Sequence, residues 1–127
     1  KRMSLLLTIF SVAFLLNLLY ELLHSFLYET CRKASLKKYA YLMLKGAIFD
    51  GVAITSLYWL TSLVFKNGLH LIIFLLLTLL LAYFWEVYSL KKGKWEYTKS
   101  MPIVFGVGLT PFIQLALTGF ITLYLVF

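Results

Sequence analysis

Residues 69–90 read LHLIIFLLLTLLLAYFWEVYSL, a stretch in which Glu86 is the only Asp, Glu, Lys or Arg. An α-helix needs about 20 apolar residues to cross the hydrocarbon core of a bilayer, and this stretch supplies them. Residues 4–28, 39–65 and 103–127 have similar length and character. We therefore predict an all-α, integral membrane four-helix bundle with helices at about 4–28, 39–65, 69–90 and 103–127, forming a single transmembrane domain over residues 1–127.

The composition of the chain indicates that lipid is its solvent. It is 62% hydrophobic and 13% charged, whereas a soluble domain has about 45–50% apolar and about 25% charged residues. A soluble chain of this length could not bury so much apolar surface in one core. The net charge of +7 does not indicate a nucleic-acid partner, because nearly all basic residues lie between the apolar runs, as in proteins that contact anionic membrane lipids.

The distribution of Lys and Arg predicts the orientation of the helices. The first and third connections and their borders carry Arg32, Lys33, Lys37, Lys38, Lys91, Lys92, Lys94 and Lys99. The opposite side carries only Lys1, Arg2 and Lys66. Cytoplasmic loops are the ones enriched in basic residues. We therefore expect both termini on the non-cytoplasmic side of a multi-pass protein of the cell (inner) membrane.

Each predicted helix carries one stripe of polar or small residues at helical spacing. These stripes are Asn17, Glu21, His24 and Tyr28; then Gly46, Asp50 and Ala53; then Thr78, Ala82, Glu86 and Ser89; and finally Gly106, Thr110, Gln114 and Thr118. An ionisable side chain costs about 2.5 kcal/mol or more at the centre of a bilayer, so such residues usually face protein or water. We expect the stripes to face each other and form a polar pocket in the cytoplasmic half of the bilayer. Pro111 is expected to leave the Val107 carbonyl free within the fourth helix. The helix could then bend and present this oxygen to the pocket, or the proline is a tolerated kink of a membrane helix.

The leading functional hypothesis is an enzyme or ligand-binding protein for a lipidic or isoprenoid-like small molecule. An apolar pocket with a few convergent polar groups is the usual form of such a site. Glu21, His24 and Asp50 are the candidate catalytic residues, with Glu21 as proton donor or base, His24 as its partner and Asp50 as a second carboxylate. The candidate substrate-binding residues are Asn17, Gln114, Glu86, Tyr28 and Thr110.

Two other interpretations of the same residues stay open. Glu21-x-x-His24 is similar to the Glu-x-x-His ligand pair of di-iron bundles, and a single divalent metal ion could be held by Glu21, His24, Asp50 and Glu86. Alternatively, Glu21 and Asp50 belong to a hydrogen-bonded or ion-paired network that locks the helices together. The partners in that network would be Lys45, Asn17 or Gln114.

Two other function classes fit the architecture. In length, in its four spans and in the glutamate of its first helix, the chain is similar to small multidrug resistance transporters, which implies a dimeric, proton-coupled transporter. It departs from them at His24, Asp50 and Glu86, because those transporters centre on one glutamate. The remaining class is an accessory or assembly subunit whose polar stripes bind helices together.

Scattered residues along most of the chain carry one further resemblance. They are Asn17-x-x-Tyr20-Glu21-x-x-His24, Asp50, Trp85-Glu86, Gly93-x-Trp95-x-Tyr97, Met101-Pro102 and Gly108-Leu109-x-Pro111-x-x-Gln114. This pattern resembles small four-helix bacterial and archaeal integral membrane proteins of unassigned function. The resemblance implies a membrane bundle and no particular activity.

Overall fold

The computed structural model describes residues 2–127, so the contribution of Lys1 to the charge distribution lies outside the described part. Within it, the elements are α1 (Arg2–His24), a 3-10 turn (Ser25–Leu27), α2 (Glu29–Arg32), α3 (Leu36–Val64), α4 (Leu69–Lys91), β1 (Ile103–Val104), β2 (Val107–Gly108) and α5 (Leu109–Val126). Four helical segments are long and apolar enough to cross a membrane. The prediction of an all-α protein with four such helices is confirmed.

The long helices form a bundle in which each helix has two main neighbours. α1 packs against α3 and α5, and α4 packs against the same two helices from the other side. The centre of the bundle is filled by apolar side chains, among them the fully buried Ile9, Ile54 and Phe74. Large apolar side chains such as Leu15, Ile72 and Leu125 are exposed on the outer faces.

Local sequence signals explain where α3 begins and how the chain returns into α4. The Ser35 side chain accepts a hydrogen bond from the Lys38 backbone N–H, which caps the first turn of α3. At the other end of α3, Asn67 and Gly68 have φ values of 58° and 81°. A left-handed backbone of this kind favours Asn and Gly, so the short Lys66-Asn67-Gly68 turn reverses the chain directly.

The fourth long helix begins at Leu109, and the predicted start at residue 103 is wrong. Residues 103–104 instead pair antiparallel with residues 107–108, with Phe105 and Gly106 at the turn and φ values of 52° and 83°. Two consecutive positive φ values are typical of a tight two-residue hairpin. Gly106 therefore does not belong to the helical stripe of α5.

The hairpin also changes the role of Pro111. The residue lies in the first turn of α5, where a missing backbone N–H removes no intrahelical hydrogen bond. The prediction that Pro111 lies inside the fourth helix and frees a helical carbonyl at Val107 is therefore wrong, because Val107 precedes the helix. The first helix likewise ends earlier than expected: α1 stops at His24, and Tyr28 has an extended backbone with ψ of 124°.

The first connection (residues 28–35) and the third connection (residues 92–108) lie against each other at one end of the bundle. The Glu29 N–H donates to the Glu96 carbonyl at 2.9 Å, and the Thr98 N–H donates to the Leu27 carbonyl at 2.8 Å. These contacts bring most of the Lys and Arg residues of the chain to one end, which we call the basic end. Positive charge is thus concentrated at one end of the bundle.

Gly119 is a point where α5 approaches its neighbours too closely for a side chain. A Cβ atom at this position would lie 3.0 Å from the Phe74 ring, and Phe74 is fully buried. We expect Gly119→Leu to lower the free energy of unfolding by about 1–3 kcal/mol, because the core has no room to accept it. Thermal unfolding in detergent micelles measures the change. Ala40→Leu, on an exposed face of α3, is the control and should unfold like the wild type; equal stability of all three proteins would contradict the packing.

Candidate functional site

A cavity of about 360 Å³ lies near the basic end, and all four long helices contribute to its wall. Its polar lining consists of Glu21, Tyr28, Thr30, Cys31, Lys45, Asp50, Glu86, Lys94, Trp95 and Gln114. Its apolar lining includes Leu42, Met43, Phe49, Ala82, Trp85 and Leu115. Lys45 and Lys94 are exposed, whereas Asp50 and Glu86 are buried. The cavity wall therefore contains two solvent-exposed lysines and two buried carboxylates.

The imidazole of His24 contacts one carboxylate oxygen of Glu21. The distance from His24 Nε2 to Glu21 Oε1 is 2.8 Å, and His24 Nδ1 lies 2.9 Å from the hydroxyl oxygen of Thr110. The backbone carbonyl of Thr110 accepts a 2.5 Å hydrogen bond from the Tyr20 hydroxyl. These contacts fix one end of α1 to the first turn of α5. The Glu21 carboxylate is the last group in the series that runs from Thr110 through His24.

The second oxygen of Glu21 faces α3 at Gly46. A Cβ atom at Gly46 would collide with Oε2 of Glu21, so a larger residue at this position would require the carboxylate to shift. Glu21 and Gly46 both line the cavity, and the Glu21 side chain is 17% exposed. Oε2 makes no hydrogen bond within residues 2–127. Glu21 can therefore exchange a proton with, or accept a hydrogen bond from, a molecule in the cavity.

Asp50 belongs to a buried network that joins three helices. Gln114 Nε2 donates to Asp50 Oδ2 at 2.8 Å and to Asn17 Oδ1 at 3.0 Å. The Thr118 hydroxyl lies 3.1 Å from the same Asn17 oxygen, and Asn17 Nδ2 donates to the Ala13 carbonyl at 2.7 Å. This network connects α1, α3 and α5 below the cavity and leaves Asp50 as part of the cavity wall.

Glu86 anchors the third connection to α4. Its Oε2 accepts hydrogen bonds from the Tyr28 hydroxyl at 3.1 Å, from Trp95 Nε1 at 3.1 Å and from the Tyr97 hydroxyl. The Tyr97 hydroxyl also accepts from the Gly108 N–H at 2.9 Å, where α5 begins. Glu86 is 3% exposed. A single carboxylate therefore fixes both connections that cover the cavity.

The two tyrosines of this cluster are kept neutral. Burial raises the pKa of Tyr28 well above its ordinary value, and the neighbouring Glu86 raises it further. Burial, followed by the hydrogen bond to Glu86, also raises the pKa of Tyr97. Both hydroxyls therefore remain donors at physiological pH, as the contacts with Glu86 require.

Cys31 is the only cysteine of the chain, and it lines the cavity from the first connection. It is half-buried. Burial raises the pKa of its thiol, with a smaller contribution from Glu21. The thiolate is the reactive form of cysteine, so this thiol is a weak nucleophile at neutral pH.

The candidate residues divide into two groups by position. Glu21, Tyr28, Asp50, Glu86 and Gln114 line the cavity. Asn17, His24 and Thr110 do not line it and instead contact residues of its wall. The helix-locking network expected from the sequence is present for Asp50, through Gln114 and Asn17, and Lys45 makes no ion pair with either carboxylate within residues 2–127.

Candidate metal ligands do not converge. In residues 2–127, no group of three or more His, Cys, Asp or Glu side chains is placed to hold a metal ion. Glu21 and His24 contact each other, whereas Asp50 is bonded to Gln114 and Glu86 to three donors of the connections. Of the donor set expected from the sequence, Glu21, Asp50 and Glu86 are therefore spread along the cavity wall. His24 does not line the cavity and contacts Glu21.

Sequence reasoning did not assign several residues of the cavity to the site. Lys45, Lys94, Trp85 and Trp95 line it, and Tyr97 holds the connection that covers it. The signal for Lys45 was present, because a lysine well inside a predicted span is unusual. Trp95 and Tyr97 fit the pattern of interfacial aromatics, and only the folded connection reveals that both donate to Glu86.

Comparison of the chain with known protein families, with curated proteins and with solved structures finds no match in any of the three.

The Glu86 cluster leads to a specific prediction. Hydrogen bonds to a charged group contribute about 1.5–3 kcal/mol each, and a carboxamide in place of the carboxylate keeps an acceptor oxygen but loses the negative charge that strengthens these bonds. We expect Glu86→Gln to lower the free energy of unfolding by roughly 2 kcal/mol and to speed tryptic cleavage after Lys94 and Lys99. Glu96→Gln is the matched control, because Glu96 is exposed in the same connection. Equal cleavage rates in both variants would show that Glu86 does not anchor this segment.

Proposed function

We propose that the chain is a multi-pass integral membrane protein of the cell (inner) membrane, with its basic end in the cytoplasm and both termini outside. Support comes from the four long apolar helices and from the excess of Lys and Arg at one end, in the sense of the positive-inside rule. The lysines of the basic end would contact anionic lipid head groups. The exposed apolar side chains of the outer faces would contact lipid chains.

Within this membrane protein, we propose that the cavity binds a lipidic or isoprenoid-like small molecule and acts on it by acid–base chemistry. One observation carries this proposal: a cavity of about 360 Å³ combines apolar side chains with the carboxylates of Glu21 and Asp50. Its volume is in the range of small-molecule sites, which are lined mostly by apolar groups with a few polar ones. A head group would enter from the basic end, and an apolar tail would lie along the apolar wall.

The acid–base roles follow from the contacts of each group. Glu21 is the residue that exchanges a proton with the ligand, because it lines the cavity and its Oε2, which lies against Gly46, has no hydrogen-bond partner within residues 2–127. His24 is a positioning residue, since it contacts Oε1 of Glu21 and does not line the cavity. Asp50 supplies the second carboxylate, and Gln114, which donates to Asp50, orients both the carboxylate and the bound molecule.

The other function classes receive less support from these observations. The cavity is lined by residues of a single chain, so binding does not require the homodimer that a small multidrug resistance-type transporter would form. An assembly subunit would use its polar residues to bind helices together. The Asp50 network does so within the chain, but the second oxygen of Glu21 has no hydrogen-bond partner within residues 2–127 and so has no such role.

Cysteine labelling tests the proposed orientation. In a Cys31→Ser background, Lys66→Cys lies in the exposed α3–α4 turn and Ser100→Cys in the exposed third connection. A membrane-impermeant maleimide added to spheroplasts should label Lys66→Cys and leave Ser100→Cys unlabelled until the membrane is opened. The reverse pattern would overturn the orientation. Equal labelling of both positions in sealed spheroplasts would contradict a membrane-spanning bundle.

Quenching of tryptophan fluorescence tests binding. Trp85 and Trp95 line the cavity, and Trp59 is the third tryptophan of the chain. In a Trp59→Phe background, ω-bromoundecanol in detergent should quench the two remaining tryptophans along a saturable curve. A bromine atom on the chain quenches only when the chain lies close to the indole rings.

Two variants separate binding in the cavity from partition into the micelle. Ala82→Leu fills part of the cavity and should remove the saturable component or weaken it by roughly tenfold. Ala40→Leu makes the same chemical change on an exposed face and should leave the curve unchanged. Linear, non-saturable quenching in all three proteins would contradict the proposal.

A further inference from the structure

Lys45 is a charged residue in an unusual place. It lies about two turns further into α3 than Lys38, which corresponds to a depth difference of about 10 Å. A lysine at such a depth in a bilayer is unfavourable unless it reaches water, a counter-ion or the interface. The ammonium group points back over the Tyr41 ring, 5.7 Å from its centroid, and the side chain forms part of the cavity wall.

Lys94 reaches the same cavity wall from the third connection. Its ammonium group lies 4.6 Å from the centroid of the Trp85 ring and 5.0 Å from that of Tyr88. Trp85 in turn stacks on Phe49 with ring centroids 4.8 Å apart. The aromatic pair connects α3 with α4 at the cavity. Lys45 and Lys94 are thus both exposed residues of the cavity wall, and we call the part of the wall that they form the opening.

Neither lysine has a carboxylate partner in the part of the chain that the structure describes. The ion pairs found there are His24–Glu21, Arg32–Glu29 and Lys33–Glu29. The carboxylates inside the cavity have other partners: His24 for Glu21, Gln114 for Asp50 and the connections for Glu86. The opening therefore presents two ammonium groups without an ion-pair partner, next to an apolar interior.

We propose that this opening binds the phosphate group of a single-chain phosphate monoester or diphosphate, with Lys45 and Lys94 as its two cationic contacts. A phosphate monoester carries a charge of about −1.5 to −2 at neutral pH, which two lysines neutralise. Lysine binds phosphate as a compact point charge and needs no planar geometry. The hydrocarbon chain then lies along the apolar wall formed by Leu42, Phe49 and Leu115.

This inference rests on the proposed function and makes it more specific. With the phosphate at the two lysines, the first carbon atoms of the ligand pass the inner carboxylates. Glu21 has its unbonded oxygen at this level, since Gly46 follows Lys45 directly in α3. The cationic opening sets the head-group charge of the ligand, and Glu21 is the group that meets the adjoining carbon atoms.

The experiment compares three probes that share one chain: ω-bromoundecyl phosphate, ω-bromoundecanol and ω-bromoundecyltrimethylammonium. Quenching of Trp85 and Trp95 in the Trp59→Phe protein gives an apparent affinity for each. We expect the phosphate to bind at least roughly tenfold more tightly than the alcohol, and the ammonium probe to bind most weakly. Inorganic phosphate should not displace ω-bromoundecyl phosphate at equal concentration.

Matched variants assign the effect to the two lysines. Lys45→Gln and Lys94→Gln should each weaken binding of the phosphate probe by roughly tenfold, while the affinity for the alcohol stays the same. Lys45→Arg keeps the charge and should bind the phosphate probe like the parent protein. Lys92→Gln is the control, because Lys92 lies over the Tyr88 ring at 5.9 Å and does not line the cavity.

The experiment distinguishes failure of the proposed binding function from failure of the head-group inference alone. If none of the three probes quenches saturably, the proposed binding function fails, and with it this inference. If alcohol and phosphate bind equally, or if Lys92→Gln weakens the phosphate probe as much as Lys45→Gln does, only the head-group inference fails. If inorganic phosphate competes as well as the amphiphile, the opening is a site for free phosphate, and the amphiphilic ligand is overturned.

Discussion

The carboxylate of Glu86 is the contact on which the basic end depends. It accepts hydrogen bonds from Tyr28, Trp95 and Tyr97, and so joins α4 to both connections at that end. A buried carboxylate is costly unless donors replace its water, and three donors do so here. The cavity exists in its present form because this one side chain keeps the connections in place above it.

Below the connections, the polar groups of the bundle differ in whether other polar groups of the chain satisfy their hydrogen bonds. Asn17, Gln114 and Thr118 satisfy one another and tie the helices together. Glu21 uses one oxygen for His24, and its other oxygen, which lies against Gly46, has no hydrogen-bond partner within residues 2–127. Buried polar groups are normally fully paired. Glu21, Asp50 and Glu86 each leave one carboxylate oxygen without a hydrogen bond within residues 2–127. The Ser89 hydroxyl is also buried there without a partner. Among these groups, the carboxylates that line the cavity are where ligand chemistry is most readily placed.

Helical periodicity was enough to predict which polar residues approach each other, because four long helices leave only one face each for the interior. Asn17, Asp50 and Gln114 meet as their spacing suggests. The start of α5 was mispredicted because residues 103–108 are apolar enough to continue a helix, and the hairpin depends on positive φ at Phe105 and Gly106. Lys45 lines the cavity because of the way the helices pack around it at the basic end. A single sequence does not contain that information.

The hairpin makes α5 much shorter than α3, with 18 residues against 29. At 1.5 Å per residue these helices span about 27 Å and about 43 Å. In the proposed membrane, such a difference creates hydrophobic mismatch around the perimeter of one molecule, because a bilayer core is about 30 Å thick. Lipid beside α5 would be thinned while α3 tilts or extends beyond it. The lipid beside α5 would therefore have shorter chains than the lipid beside α3.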